Sequence, residues 1–223
     1  MDTIRNFEAV RERIAAAAQR AGREVTLLAV SKTQPAAAVR ALAALGQRAF
    51  GENYVQEGIA KRRELAGLDL EWHAIGPLQS NKAREVAAHF DWLQSLDRPK
   101  LVGALDRLRP AQAKPLQVLI QVNIDDETSK SGCAPHEIDA LADAVDGAPR
   151  LVLRGLMAIP AADPDPARRV AAFARMRRCF EELRRRHRGV DTLSMGMSED
   201  FEAAIAEGAT LVRVGSALFG PRH

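Results

Sequence analysis

Short apolar runs recur along the chain at 25–32 (VTLLAVSK), 48–53 (RAFGEN), 71–76 (EWHAIG), 91–97 (DWLQSLD), 116–124 (LQVLIQVNI), 151–159 (LVLRGLMAI), 192–198 (TLSMGMS) and 210–216 (TLVRVGS). Between them lie longer Ala-, Leu- and charge-rich segments whose apolar positions follow helical spacing. PAAAVRALAALG, after the first run, opens with Pro35 in a first helical turn and closes with Gly46. SEDFEAAIAEG, after the seventh, reads as a helix with Ser198 as N-cap, acids in its first turn and Gly208 at its end. Residues 3–21 predict one more helix ahead of the first strand. The runs lack strict alternation, which parallel strands covered by helices do not need. Strand and helix alternating eight times predict an α/β chain with a single (β/α)8 TIM barrel and an additional N-terminal helix, one domain over 1–223. A doubly wound open sheet is the alternative; no halving of the pattern favours it.

Composition is that of a globular domain, with 47% apolar, 27% charged and 4% aromatic residues. Lys and Arg number 32 against 29 Asp and Glu, so a net charge of +3 makes no polycation despite a pI of about 9.1. The basic stretch at 167–189 reads as a helix with Val170, Phe173, Phe180 and Leu183 on one face and Glu181 and Glu182 each four residues before an arginine, as on solvated helices. A nucleic-acid surface is the competing reading, but the interleaved aromatics that stack bases are missing. Cys133 and Cys179 match no metal spacing and are expected as reduced thiols. The five histidines form no metal motif. No signal-type apolar segment or membrane span stands out, so the expected location is the cytoplasm.

In a barrel, the C-terminal strand ends carry the chemistry. Here they are Lys32, Glu52 and Asn53, His73 with Gly76, Asp97, Asn123 with Asp125, Met157, Ser194 with Ser198, and Arg213 with Gly215 and Ser216. The turns after the last two strands, with Gly196, Gly215, Ser194 and Ser216, have the character of an anion site, and GSALFG could be the short helix that often helps hold a phosphate there. Ordinary Ser-capped turns would look the same. Arg213, between Val212 and Val214, needs an acceptor: a carboxylate such as Asp97, or a ligand. His73 is read as making a structural hydrogen bond. Lys32 closes an apolar strand; desolvation there would favour its free amine, which condenses with aldehydes. It could instead pair with Glu52 or a phosphate, or snorkel outward. An amine, a phosphate site and a partner for a ring nitrogen are together the three handles of pyridoxal 5′-phosphate (PLP).

LLAVSKTQP, FGENYVQE, WHAIGPLQSNK and SMGMSEDFEAAIAEGATLVRVGSALFG, with QVNIDDETSKSG and LRGLMAI more loosely, resemble the pyridoxal phosphate homeostasis protein family, whose fold matches the N-terminal barrel of alanine racemase. The resemblance implies that Lys32 is the PLP lysine, that Ser194, Gly215 and Ser216 bind the phosphate, that Arg213 faces the pyridine nitrogen and that Asn53 lines the cofactor. It implies a carrier that holds PLP as a Schiff base on Lys32 in PLP (vitamin B6) and amino-acid homeostasis, as a monomer, with PLP-dependent apo-enzymes as recipients. Ala74, Pro77 and the loop AADPDPA depart from the family pattern, which bears on surface contacts near strands 3 and 6. The alternative is an amino-acid racemase or another PLP enzyme of this fold. Against it, the sequence holds one tyrosine, Tyr54, and no β-rich second domain is expected up to residue 223. An arginine on the ring nitrogen also leaves the ring a poor electron sink. Lys82, in SNKAREV, is a candidate second amine for PLP.

Overall fold

The computed structural model describes residues 3–125, 131–161 and 163–220. The eight runs each hold a strand: β1 (Thr26–Val30), β2 (Ala49–Glu52), β3 (Glu71–Ala74), β4 (Trp92–Leu96), β5 (Leu116–Gln121), β6 (Leu151–Met157), β7 (Thr192–Ser194) and β8 (Leu211–Val214). They pair in chain order and close between β1 and β8, all parallel, which decides against the open sheet. The helices are α1 (Thr3–Ala21), α2 (Ala36–Ala44), α3 (Val55–Glu64), α4 (Ala83–His89), α5 (Pro99–Leu108), α6 (Ile138–Asp146), α7 (Pro166–Arg186), α8 (Phe201–Ala206) and α9 (Ser216–Phe219). The expected N-terminal helix is α1, and GSALFG contains α9. Parts of the QVNIDDETSKSG and AADPDPA segments, residues 126–130 and 162, lie outside the described residues. Among the described residues no helix is long and apolar enough to cross a membrane.

α2 starts after Pro35 and stops where Gly46 takes φ +94°, a turn that a β-carbon would strain. The start of α8 differs from expectation. Asp200, not Ser198, is its N-cap residue, and the Asp200 carboxylate accepts the Met197 N–H at 2.7 Å. Ser198 is turned instead toward α9, where its hydroxyl accepts the Ala217 N–H at 3.3 Å.

Two packings lie on either side of the sheet. The outer one joins strands to helices and includes Phe7, Val10 and Ile14 of α1, Phe173, Met176 and Phe180 of α7, and Val212 and Val214. Burying each such large side chain stabilises the fold by about 1.5–3 kcal/mol. The inner one is smaller: Leu28, Val30, Ala49, Ile75 and Leu211 form one cluster, and Trp92, Leu119 and Met157 another. Every second residue along a strand therefore faces the barrel axis. Following that alternation upward leads from Leu28 and Val30 to Lys32, from Ala49 and Gly51 to Asn53, and from Leu211 through Arg213 to Gly215.

Candidate active site at the C-terminal end of the barrel

A cavity of about 360 Å³ opens at this end of the barrel, and Lys32, Asn53, Arg213, Gly215 and Ser216 all line it. Five residues from three separate segments, singled out on sequence, thus meet in one pocket. Gly76, Pro77, Ile159, Arg169, Met197 and Ser198 complete much of its wall. Gly76 is there because nothing larger fits: a β-carbon on it would lie 2.3 Å from the Asn53 carbonyl oxygen. Pro77 was expected to matter only for surface contacts, but it stands in the cavity wall.

Ser194 stands elsewhere. It is fully buried and is not among the cavity-lining residues. β7 ends on it with its side chain turned into the barrel interior, where its hydroxyl donates to Gln94 Oε1 at 2.7 Å and accepts from Arg213 Nη1 at 2.7 Å. The hydroxyls that reach the cavity beside Gly215 are those of Ser216 and Ser198. Gly215, the residue before α9, brings its backbone against β1: a β-carbon there would meet the Val30 carbonyl oxygen at 3.3 Å.

Arg213 is 4% exposed and has no carboxylate in contact among the described residues. Asp97, the carboxylate weighed against a ligand as its acceptor, accepts from Arg98 at 2.6 Å instead. The second guanidinium nitrogen of Arg213 donates to the Ala158 carbonyl at 2.8 Å. Burial pushes its pKa down to about 10, with Asp200 pulling the other way, so it remains a cation at neutral pH. Arg213 therefore keeps N–H groups for a ligand while two protein acceptors fix its plane.

Lys32 is half-buried, and the chain around it is held from α3. Lys61 Nζ donates to the Ser31 carbonyl at 2.5 Å, to Glu52 Oε1 at 2.7 Å and to Glu57 Oε1 at 2.7 Å. The Ser31 hydroxyl donates to Glu52 at 2.6 Å, and the Thr33 N–H donates to Glu57 at 2.6 Å. Thr33 has φ +64°, an unfavourable conformation for a β-branched residue. Lys32 thus sits between two residues pinned by one ion cluster. Glu52, weighed as its partner, accepts from Lys61 and Ser31. Burial raises the pKa of Glu52, and the hydrogen bonds from Lys61 and Ser31 only partly offset this.

Lys82 is on the outer surface, 3.5 Å from Glu85, and is not among the cavity-lining residues. Tyr54 is exposed and is likewise not among them. Several arginines of α7 are tied to carboxylates: Arg175 to Asp125 at 2.7 Å, Arg177 to Glu207 at 3.4 Å, and Arg186 to Asp139. Arg169, from the same basic run, faces the cavity; no sequence signal separates it from its neighbours. Among the described residues no group of His, Cys, Asp and Glu could hold a metal ion.

The sequence profile of the alanine racemase N-terminal domain matches residues 6–223. The pyridoxal phosphate homeostasis protein of Pseudomonas aeruginosa is 57% identical over 100% of this chain and 97% of its own length. The chain belongs to this family. The Escherichia coli member, also called pyridoxal phosphate homeostasis protein, is 54% identical over 99% of this chain and 97% of its own length. A solved structure that this chain resembles is PipY of Synechococcus elongatus with PLP bound. It is 39% identical, covers 98% of this chain with 100% of its own, and superposes with a TM-score of 0.86. The barrel and its extra helix are thus the family's architecture.

Proposed function

We propose that the protein binds PLP reversibly in this cavity and serves intracellular PLP and amino-acid homeostasis as a carrier. The observation that carries this reading is the donor set. An amine, a guanidinium and the Gly215–Ser216 turn with two hydroxyls line one cavity of about 360 Å³, the size class of small-ligand sites. PLP supplies an aldehyde that condenses reversibly with a primary amine, releasing water. Lys32 is the amine, held at the strand end by the Lys61 cluster, and it carries the ligand as a Schiff base. The Gly215 and Ser216 backbone, with the Ser216 and Ser198 hydroxyls, holds the phosphate. Arg213 offers N–H to the pyridine nitrogen, Asn53 packs along the ring, and Ser194 supports Arg213 from beneath. A relative that binds PLP and two others named for PLP homeostasis support the ligand assignment.

The carrier reading is favoured over a racemase by Arg213. Its cationic N–H groups leave the ring nitrogen unprotonated, which weakens the electron sink that Cα chemistry needs. In this reading the protein acts as a monomer, and the recipients are PLP-dependent apo-enzymes in the cytoplasm.

Titration with PLP should produce a yellow absorbance band that Lys32→Ala abolishes. A Lys32→Ala protein that keeps the band and the affinity would overturn the assignment. Incubation with amino acids in deuterated water should show no α-proton exchange by NMR; rapid exchange would favour the racemase. Borohydride reduction and peptide mass mapping test Lys82, and label on Lys32 alone removes it as a second site.

A further inference from the structure

A line of buried polar side chains crosses the barrel interior from Arg213 to the opposite end. Arg213 Nη1 donates to the Ser194 hydroxyl at 2.7 Å, and that hydroxyl donates to Gln94 Oε1 at 2.7 Å. Gln94 Nε2 lies 3.0 Å from His73 Nδ1, and His73 Nε2 lies 2.9 Å from Glu71 Oε1. Arg213, Ser194, Gln94 and His73 are each at most 4% exposed, whereas the Glu71 side chain is 42% exposed, at the N-terminal end of β3. The chain links β8 and β7 to β4 and β3, across the closed sheet.

Its polarity follows from the inventory of donors. A guanidinium only donates, so Ser194 must accept from it and pass its own proton to Gln94. The Gln94 carbonyl is then occupied as acceptor, which turns its NH2 toward His73. Nδ1 of His73 must therefore be bare, the proton sits on Nε2, and that N–H points at the Glu71 carboxylate. All four bonds run in one direction, from a cation to an anion, and each bond polarises the next. The His73 ring cannot swing away, because it stacks on Trp92 at 5.0 Å with 9° between the planes.

We propose that Glu71 is a positioning residue for the ligand site: through His73, Gln94 and Ser194 it sets the plane and charge environment of Arg213. This rests on the assignment of Arg213 to the ring nitrogen of PLP. Without the terminal carboxylate the chain can reverse, since His73 can take the other tautomer and Gln94 can flip. Ser194 would then accept from Gln94 as well as from Arg213, which loosens its hold on the guanidinium plane.

The test uses the full chain. In the unliganded protein, nitrogen chemical shifts of His73 should show a protonated Nε2 and a bare Nδ1; the opposite tautomer overturns the proposal. Glu71→Gln keeps the acceptor and removes the charge, and Gln94→Leu cuts the line in its middle. Each should shift the PLP absorbance band and weaken PLP binding, Gln94→Leu by about tenfold, the scale seen when outer partners of binding groups are removed. A double-mutant cycle of Glu71→Gln with Arg213→Lys should show at least about threefold coupling in PLP affinity. If Arg213→Lys alters the band but the two distant variants do not, or the cycle is additive, the relay is wrong. If Arg213→Lys itself leaves band and affinity unchanged, the ring-nitrogen assignment fails instead.

Discussion

Lys61 Nζ lies 2.7 Å from Glu52 Oε1 although their side chains are only 7% and 0% exposed, so this ion pair sits in the protein interior directly behind the segment that carries Lys32. Interior pairs are costly to desolvate and costly to break singly. Among the described residues Glu52 Oε2 has no hydrogen-bond partner, so Lys61 and Ser31 satisfy one carboxylate oxygen only.

Lys61→Met should therefore destabilise the protein by about 3–5 kcal/mol, the usual consequence of stranding a buried charge. Urea unfolding measures it. The deficit should depend on pH. The Glu52 pKa is raised in the folded state, so its protonated form favours folding below about 4.5, and that contribution is lost as pH rises through the folded value. Lys61→Met should thus approach wild-type stability in mild acid and fall furthest behind at neutral pH; a deficit that does not vary with pH would refute this account.

His73 gives the opposite sign. Burial pushes its pKa below 6.5, with Glu71 and then Asp91 pulling back. The unfolded chain consequently takes up a proton that the folded chain refuses, and stability falls as pH drops below about 6.5. Burial alone would raise the Glu71 pKa, but the hydrogen bond and charge of His73 outweigh it, so Glu71 stabilises the folded state above about 4.5 and loses that effect in stronger acid. Urea midpoints between pH 7 and 5 should decline in the wild type and decline less in His73→Gln.

Gly76→Ala forces a β-carbon to within 2.3 Å of the Asn53 carbonyl, so the cavity wall must shift. PLP binding should weaken by at least about tenfold, since small displacements of positioning groups are costly. Gly103→Ala is the control. Gly103 is inside α5 with open space around it, and alanine there should add about 0.5–1 kcal/mol of stability without touching binding. Calorimetric titration and thermal melts read the pair.

Cys133 is buried with its pKa pushed up to about 12, and burial raises Cys179 as well. Neither thiolate is populated at neutral pH. Iodoacetamide at pH 7.5 should label the native protein far more slowly than the urea-unfolded chain, by intact mass; equal rates would contradict the burial of these sulfurs.

The eight strands were legible because strands covered on both sides read as apolar runs, and the runs at 25–32 and 210–216 led straight to Lys32 and Arg213. The inner face was harder to see. Glu71 with His73, and Trp92 with Gln94, alternate toward the axis, but in runs of four or five residues two polar positions look like noise. Ser194 belongs to the same inner set, which is why it supports Arg213 and does not reach the cavity. The acceptors of Arg213, Ser194 on β7 and Ala158 just past β6, are distant in sequence, and local spacing cannot report contacts 19 and 55 residues apart. The Lys61 cluster was hidden for another reason: KRRE on α3 has the composition of a solvated face, and only the tertiary fold turns one of its cations inward.

A sheet that closes on itself leaves no unpaired strand border for another molecule to extend. Of the exposed large apolar side chains, Ile159 and Met197 stand on the cavity wall, whereas Ile4, Tyr54, Val152 and Val170 do not line it. Another macromolecule would therefore have to meet this barrel through side chains and not by adding a strand.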